Sequence, residues 1–421
     1  MLPRKLARSR RGVQHAAGGD VRHGMLYKCR QWTASTRVKI VDVKAHVLRS
    51  PLAQPFAFSQ GWVASRGATI VEVTTDAGVT GWGEALCQGL QPPEIAAATV
   101  HAALKPLAVG ADPLQPEVLW HRMYHQTRDY GMKGAVIGAI SGIDIALWDI
   151  LGKVRGEPVA KLLGGMFRDK VQAYATGFYR IAGRGEAPRL AQEAVMQHEA
   201  GFRALKVKLG FGIEDDLEVM RAIRDAIAGR ACEAMIDTNH GYGVAEAIAL
   251  GRGLEAMGWK LRWYEEPVTQ EDLDGYAEVR RALATPIAGG ENEYTLFGFR
   301  ELFARRAVDI AQPDLCAAGG FTGCRHIVAL AHAHGVQVNP HVWASAVGQA
   351  ASLQLIAALP VANHALFARE PLLEFDTSSH PFREHLTDSP LRQRDGWVEI
   401  PQRPGLGIEV SRGTLERYAA S

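Results

Sequence analysis

Residues 204–241 read "ALKVKLGFGIEDDLEVMRAIRDAIAGRACEAMIDTNHG". A short apolar run is followed by a stretch with Val219, Met220, Ile223 and Ile227 at helical spacing, and then by a second short apolar run. In the first run, Lys206 and Lys208 point to one side while Leu205, Val207 and Leu209 point to the other. Two ammonium groups side by side repel, and lysine is seldom buried without a partner. Taken alone, the run is a surface strand with two solvated lysines. Its neighbours along the chain change that reading.

The same texture recurs from about residue 166 to residue 380. Short runs "VQAYATG" (171–177), "CEAMID" (232–237), "RWYEE" (262–266), "PIAGGE" (286–291), "VDIAQPD" (308–314), "GVQVNPH" (335–341) and "PLLEF" (371–375) alternate with amphipathic stretches. Eight such strands, each followed by a helix and about 25–30 residues apart, predict an α/β fold built on a (β/α)₈ TIM-like barrel over 166–380.

Residues 38–165 have another character. "VKIVDVKAHVLRS" and "ATIVEVTTDAGVTGWGEA" alternate as strands around a loop at 51–66, and Asp76-Ala77-Gly78 forms a hairpin turn. Residues 94–153 then become helical. In "SGIDIALWDILGK", Ser141 is placed as the cap, and Ile143, Ala146, Leu147, Ile150 and Leu151 share one face. Strands followed by helices make 38–165 an α+β capping domain. Residues 381–421, ending "GWVEIPQRPGLGIEV" and a short tail, return to strand and turn and are expected to pack back on that cap.

Residues 1–37 hold nine Lys or Arg and one acid, a net of +8, which leaves −6 for the rest of a chain of +2 overall. Basic charge confined to one segment argues against a nucleic-acid-binding body. The segment is expected to be a disordered extension, with Met25 as an alternative start; its Arg-rich, acid-poor composition also fits a transit peptide. No sequence stretch approaches the roughly 20 apolar residues of a membrane span. Five cysteines without a C-x-x-C pair point to reduced thiols in a cytoplasmic protein, not to disulfides or zinc.

Barrel chemistry comes from the C-terminal ends of the strands. Those ends carry Lys206 and Lys208, Asp237 and Asn239, Glu265 and Glu266, Glu291, Asp314 and His341. Three carboxylates on consecutive strands, Asp237, Glu265 and Glu291, would repel unless a cation neutralised them. Hard oxygen ligands without cysteine or histidine favour Mg²⁺. Such a cation beside the lysines is expected to lower the Lys208 pKa toward the range of a general base. Across the mouth, Asp314 is placed to hold one nitrogen of His341 and orient the other.

As a set, Lys-x-Lys, Asp-x-Asn, Glu-Glu-Pro, Gly-Glu-Asn and the Asp314/His341 pair resemble the enolase superfamily, in its mandelate racemase and muconate lactonizing branch. "GWGEA" and "SGIDIALWD" extend the resemblance to the cap. The resemblance implies Mg²⁺ on Asp237, Glu265 and Glu291, with Lys208 and His341 as bases on opposite faces of the substrate and Lys206 assisting. It implies a small carboxylate substrate, a homo-oligomer, and a glutamate on the eighth strand that hydrogen-bonds the substrate carboxylate, Glu374 or else Glu370. "GFGIEDDL", "DTNHGY", "PHVW" and "EFDTSSHPFR" resemble acid-sugar enzymes of that branch, D-galactarolactone cycloisomerases first and aldarate and aldonate dehydratases next.

The expected reaction is loss of the proton α to a carboxylate, followed by β-elimination to a 2-keto-3-deoxy acid. Racemisation or epimerisation is the outcome where no leaving group exists. A hydrolytic metal barrel gives no reason for the lysine pair, and a barrel without activity gives none for filled base and ligand positions. The cap loops near 50–66 and 86–93 are expected to close over the site, with Phe56, Phe58 and Trp62 excluding water. Asn239 is placed among the substrate-binding residues, and Arg66 on a distal carboxylate.

Overall fold

Alternation along the lysine strand decides which residues see the barrel interior. In the computed structural model, which describes residues 38–363 and 365–420, Ala204–Lys208 is buried throughout. Leu205 and Val207 join the core between strands and helices, and Ala204 clusters with Tyr174, Met235, Trp263, Ala288, Ile310 and Leu372 inside. The basic extension, with Met25 and Cys29, lies outside the described residues.

The cap opens with three antiparallel strands in the order β1 (Ile40–Phe58), β2 (Gly61–Thr75) and β3 (Thr80–Ala85). The stretch read as a loop at 51–66 instead continues both strands around a turn at Ser59 and Gln60, with a register shift between Pro51 and Phe56. Pro51 and Pro55 are tolerated because β1 is an edge strand. The Asp76–Gly78 turn joins β2 to β3, Gly78 taking φ 75°.

The barrel strands are β4 (Lys170–Gly177), β5 (Ala204–Lys208), β6 (Glu233–Asp237), β7 (Tyr264–Glu265), β8 (Ile287–Gly289), β9 (Ile310–Ala311), β10 (Gln337–Val338) and β11 (Leu373–Asp376). Neighbours β4 to β10 pair in parallel in chain order, and β11 returns to pair with β4. Side chains bridge the remaining seam: Leu372 N donates to Asn339 Oδ1 at 2.8 Å, and Val342 N to Glu374 Oε2 at 3.0 Å. This is the α/β barrel with an α+β cap.

The helix Ala135–Arg155 joins the two parts. It starts six residues before Ser141, whose hydroxyl donates to Ile137 O and accepts from Gly319 N, so Ser141 is not a cap. Ile143, Ala146, Leu147 and Ile150 face the cap core, whereas Ile145 and Trp148 face the barrel core. By length and composition this helix matches a membrane span, contrary to the sequence expectation, but 83% of its apolar window is buried in the protein. An apolar helix buried on all sides is what a position between two cores requires.

Two cap acids hold barrel helices at their N-termini. Glu84, in "GWGEA", accepts from Ser345 N, Ser345 Oγ and Gly348 N at the start of Ala346–Ala358. Asp144, in "SGIDIALWD", accepts from Thr322 N and Thr322 Oγ1 at the start of Gly320–Ala333. Each carboxylate satisfies N–H groups that have no partner within the helix. Past the barrel, β12 (Trp397–Glu399) pairs antiparallel with β4, and Arg412 forms two hydrogen bonds to Glu72 of β2. Among the described residues, Cys87, Cys232, Cys316 and Cys324 are free thiols.

Candidate active site

At the C-terminal ends of β6, β7 and β8, ligand oxygens of Asp237, Glu265 and Glu291 come within 4.8 Å of one another, all three residues buried. Consecutive parallel strands place successive strand ends side by side, which is why residues up to 54 positions apart converge. The outer oxygen of Glu265 accepts from Trp263 Nε1 at 2.8 Å and Gln312 Nε2 at 2.7 Å. These fix its orientation. Glu291 Oε1 accepts from Gln88 Nε2 at 3.1 Å, while buried Glu291 Oε2 makes no hydrogen bond.

The bases stand at the two ends of this trio. Lys208 Nζ lies 2.5 Å from Asp237 Oδ2 and donates to Asn239 Oδ1 at 3.0 Å. His341 Nε2 lies 3.4 Å from Glu291 Oε2, and its Nδ1 is 2.7 Å from Asp314 Oδ2. Lys206 sits deeper, 2.6 Å from Glu265 Oε1 and 2.7 Å from Glu374 Oε1. Below it the ring of Tyr174 closes the interior, 5.7 Å from Nζ. The opening lysine pair is therefore buried and paired, not solvated.

Six carboxyl groups (Asp237, Glu265, Glu266, Glu291, Asp314 and Glu374) surround three bases (Lys206, Lys208 and His341). Burial pushes Glu265 up to about 8, with Lys206 opposing and neighbouring carboxylates adding. Burial and the charges of Glu291 and Asp237 raise Glu266 well above the usual range, and it accepts from both Asn239 Nδ2 and Asn292 Nδ2. Burial pulls His341 down, but Glu291, Glu374 and Asp314 outweigh it and raise the imidazole to about 10. The excess of acid, the hard oxygen donors and the orphaned Glu291 oxygen all fit a divalent cation at this trio.

Several expectations change here. The lowering expected for Lys208 belongs to a bound cation; among the protein's own groups, burial and Lys206 lower its pKa, but Asp237, with Glu291 and Tyr179, prevails and raises it above the ordinary lysine value. The cause is direct contact, since Asp237 pairs with Nζ while Lys206 is occupied by Glu265 and Glu374. Glu374 is on the site, whereas Glu370 precedes β11 on the other face, paired with Arg168 at 2.8 Å. Burial raises the Glu374 pKa, but Lys206, His341 and Lys208 hold it below its ordinary value. Glu374 pairs with Lys206 at the bottom of the site.

Arg66 is also elsewhere employed. It is 1% exposed, paired with Asp376 at 3.1 Å, and lies over the rings of Phe56 and Trp343. That placement ties the cap to the barrel, and Arg66 Nη1 is buried without a hydrogen-bond partner. Phe56 stacks on Tyr179 with ring centroids 4.2 Å apart, while Trp62 is 52% exposed. Ser59 Oγ donates to Thr238 O and Gln60 Nε2 to Asn239 O, joining the β1–β2 turn to the end of β6.

Sequence reasoning missed Gln88 and Gln312 as individual residues. Gln312 was within reach, since it lies two residues before Asp314 and points inward by strand alternation. Gln88 carried no such signal, because only the fold brings its loop to β8.

Comparison with known proteins agrees with this geometry. Residues 40–164 match the mandelate racemase/muconate lactonizing enzyme N-terminal domain, and residues 189–414 match the enolase C-terminal domain-like family. The chain is 42% identical over 381 residues to D-galactarolactone cycloisomerase of Agrobacterium fabrum, covering 90% of this chain and 99% of the relative. It is 35% identical to arabinonate dehydratase of Saccharolobus solfataricus, covering 82% and 89%. The crystal structure of 3,6-anhydro-D-galactonate cycloisomerase from Zobellia galactanivorans superposes with a TM-score of 0.81 at 37% identity, covering 91% of this chain and all of that one. With both domain families matched in order and the trio and base pair in place, the chain belongs to the mandelate racemase/muconate lactonizing enzymes of the enolase superfamily.

Proposed function

We propose that this enzyme removes the proton α to the carboxylate of an acid sugar or its lactone and expels the β-oxygen, yielding a 2-keto-3-deoxy acid. D-galactarolactone is the first substrate to test. One observation carries the reading: Lys208 and His341 stand at opposite ends of the carboxylate trio, each within 3.4 Å of its nearest carboxylate. The 42% identity to a lactone cycloisomerase supports the substrate class.

Asp237, Glu265 and Glu291 would hold Mg²⁺, which supplies positive charge where negative charge develops on the substrate carboxylate. Lys208, oriented by Asn239, takes the α-proton from one face. The electron pair of the C–H bond becomes the new C=C bond as the β-carbon–oxygen bond breaks, and the resulting enol gives up its hydroxyl proton and gains one at the β-carbon to become the 2-keto-3-deoxy acid. His341, oriented by Asp314, addresses the other face. Lys206 holds Glu265 and Glu374 in place and opposes the effect of burial on both carboxyl groups. The turn at Ser59 and Gln60 and the loop bearing Gln88 limit access of water.

A dehydratase reading has its own support. His341 is held protonated by three acids, which suits it to donate a proton to a departing hydroxyl, and the arabinonate dehydratase relative is 35% identical. The experiment is a Mg²⁺-dependent assay in D₂O with D-galactarolactone and with open-chain aldarates and aldonates. A 2-keto-3-deoxy product from the lactone alone is expected for a cycloisomerase, and product from an open-chain acid for a dehydratase. Exchange at the α-carbon without elimination means a racemase or epimerase. No product and no exchange with any of them overturns the proposal.

A further inference from the structure

Two of the three trio carboxylates are set by the barrel itself. Asp237 Oδ1 accepts from Asn239 N at 2.8 Å, and Glu265 Oε2 accepts from Trp263 and Gln312. Glu291 differs. Among the described residues its hydrogen bond comes from the cap, from Gln88 Nε2 to Oε1, and Oε2 has none. Besides the His341 ring at 3.4 Å, that bond is what opposes rotation of the carboxylate away from two like charges.

Gln88 sits in the loop 86–92, between β3 and the helix Pro93–Thr99. Both ends of the loop are tied down: Leu86 N donates to Cys316 O, and Pro93 O accepts from Thr69 Oγ1. Inside it Gln91 closes a turn, its side chain accepting from Gln88 N and its own N–H donating to Gln88 O. The tip is less secure, with Leu90 49% exposed and Gln91 and Pro92 exposed after it. A segment with few buried contacts opens locally at little cost. Gly89 seats it closely: an added Cβ would lie 2.5 Å from Val63 Cγ2 and 3.0 Å from the Trp343 ring. Gly89 against Trp343 and Gln88 on Glu291 are thus the contacts that bring the tip to the barrel.

We propose, on the reading that the trio holds Mg²⁺, that Gln88 is a positioning residue through which the cation and the cap loop stabilise one another. Glu291 Oε2, the oxygen without a hydrogen bond, is the one free to ligate, which leaves Oε1 to Gln88. A hydrogen bond to a carboxylate that a cation keeps ionised is stronger than one to a neutral acid. The seated loop, in turn, fixes the carboxylate that completes the trio. A residue that orients a metal ligand is usually worth about 10–100-fold in affinity. Coupling between two events is reciprocal, so a loop that tightens Mg²⁺ binding is itself tightened by Mg²⁺. The cap loop therefore settles over the carboxylates when they are loaded and loosens when they are not.

The test uses the full-length chain with Mg²⁺ alone. Calorimetry is expected to show Mg²⁺ binding weakened by about tenfold or more in Gln88→Leu, with the circular dichroism spectrum unchanged. Hydrogen exchange reads the coupling from the other side. Mg²⁺ is expected to slow exchange at the amides of residues 86–91 in the wild type and to leave it unchanged in Gln88→Leu. Gly89→Ala separates the seating of the loop from the Gln88 amide. Gly89 lies outside the left-handed region, so alanine there strains only the contacts with Val63 and Trp343. It is expected to lift the tip and weaken Mg²⁺ binding although Gln88 and the trio are intact. Wild-type affinity in either variant, or exchange at 86–91 that ignores Mg²⁺ in the wild type, overturns the proposal and leaves the trio as the metal site. A wild type that binds no Mg²⁺ overturns both.

Discussion

Glu291 shows how much one side chain carries in this site. One oxygen is held by Gln88 from the cap, and the other is buried without a hydrogen bond, 3.4 Å from His341. Replacing Glu291 with Gln keeps the shape and removes a ligand charge, so Mg²⁺ affinity measured by calorimetry is expected to fall by at least about tenfold. Near-normal affinity would show that the trio is not the metal site. Lys208→Met and His341→Asn divide the chemistry between faces. Lys208→Met is expected to lower turnover by about 10²–10⁴-fold, the usual worth of a positioned proton-transfer group, and His341→Asn to do so on an open-chain acid whose hydroxyl needs a proton to leave. Deuterium exchange at the α-carbon should disappear on the lysine face only in Lys208→Met, and on the histidine face only in His341→Asn. Exchange that survives on the lysine face of Lys208→Met would transfer the role of base there to another residue. A His341→Asn enzyme that keeps most of its turnover on a lactone would support the cycloisomerase.

At the scale of elements, the cap and barrel meet through carboxylates at helix ends. Burial raises Asp144 to about 7 against its hydrogen bonds from Thr322, whereas an unfolded aspartate titrates near 3.8. The folded protein therefore binds a proton that the unfolded chain releases between about pH 4 and 7. The contribution of Asp144 to stability is full below about pH 4 and is lost as pH rises toward 7, by up to about 1.4 kcal/mol per pH unit. Asp144→Asn keeps the acceptor for Thr322 without the charge. Urea unfolding at pH 4.5 and 7.5 is expected to show the variant gaining on the wild type as pH rises. A constant difference between the two proteins would mean that Asp144 does not titrate in this range.

Across the whole molecule, the last residues fasten the cap sheet from outside. Arg412 and His46 converge on Glu72, Arg412 lies over the ring of Trp82, and Ala420 N donates to Val47 O. Burial pushes the Glu72 carboxyl up, but the hydrogen bonds from His46 and Arg412 prevail and hold it at about 2. This stability is present above about pH 4.5 and is lost as pH falls toward 2, opposite in sign to Asp144. Glu72→Gln is expected to cost about 1–2 kcal/mol at pH 7, allowing for solvent at the exposed Arg412. It should also flatten the acid limb of the stability curve, as measured by thermal unfolding between pH 2 and 6. An unchanged acid limb would remove the clasp from the account.

The barrel, the two-part organisation and the chemical groups at the strand ends were legible from period-2 and period-3.6 patterning, because those patterns are local. Eight strands could be placed, and alternation put Lys206 and Lys208 on the same side as Asp237 and Glu265. What those groups do to one another was not local. The sequence suggested a cation that lowers the Lys208 pKa, and only the packed chain shows Asp237 at 2.5 Å acting in the opposite direction. Glu374 and Glu370 lie four residues apart in sequence and serve opposite ends of one strand. Arg66, expected at the substrate, meets Asp376 across 310 residues, and Gln88 meets Glu291 across 203. Composition and spacing determine which side chains a strand end can offer. Ion pairing and hydrogen bonding fall off within a few ångströms, so only the packed chain decides which of them are already committed to a partner and which are left for chemistry.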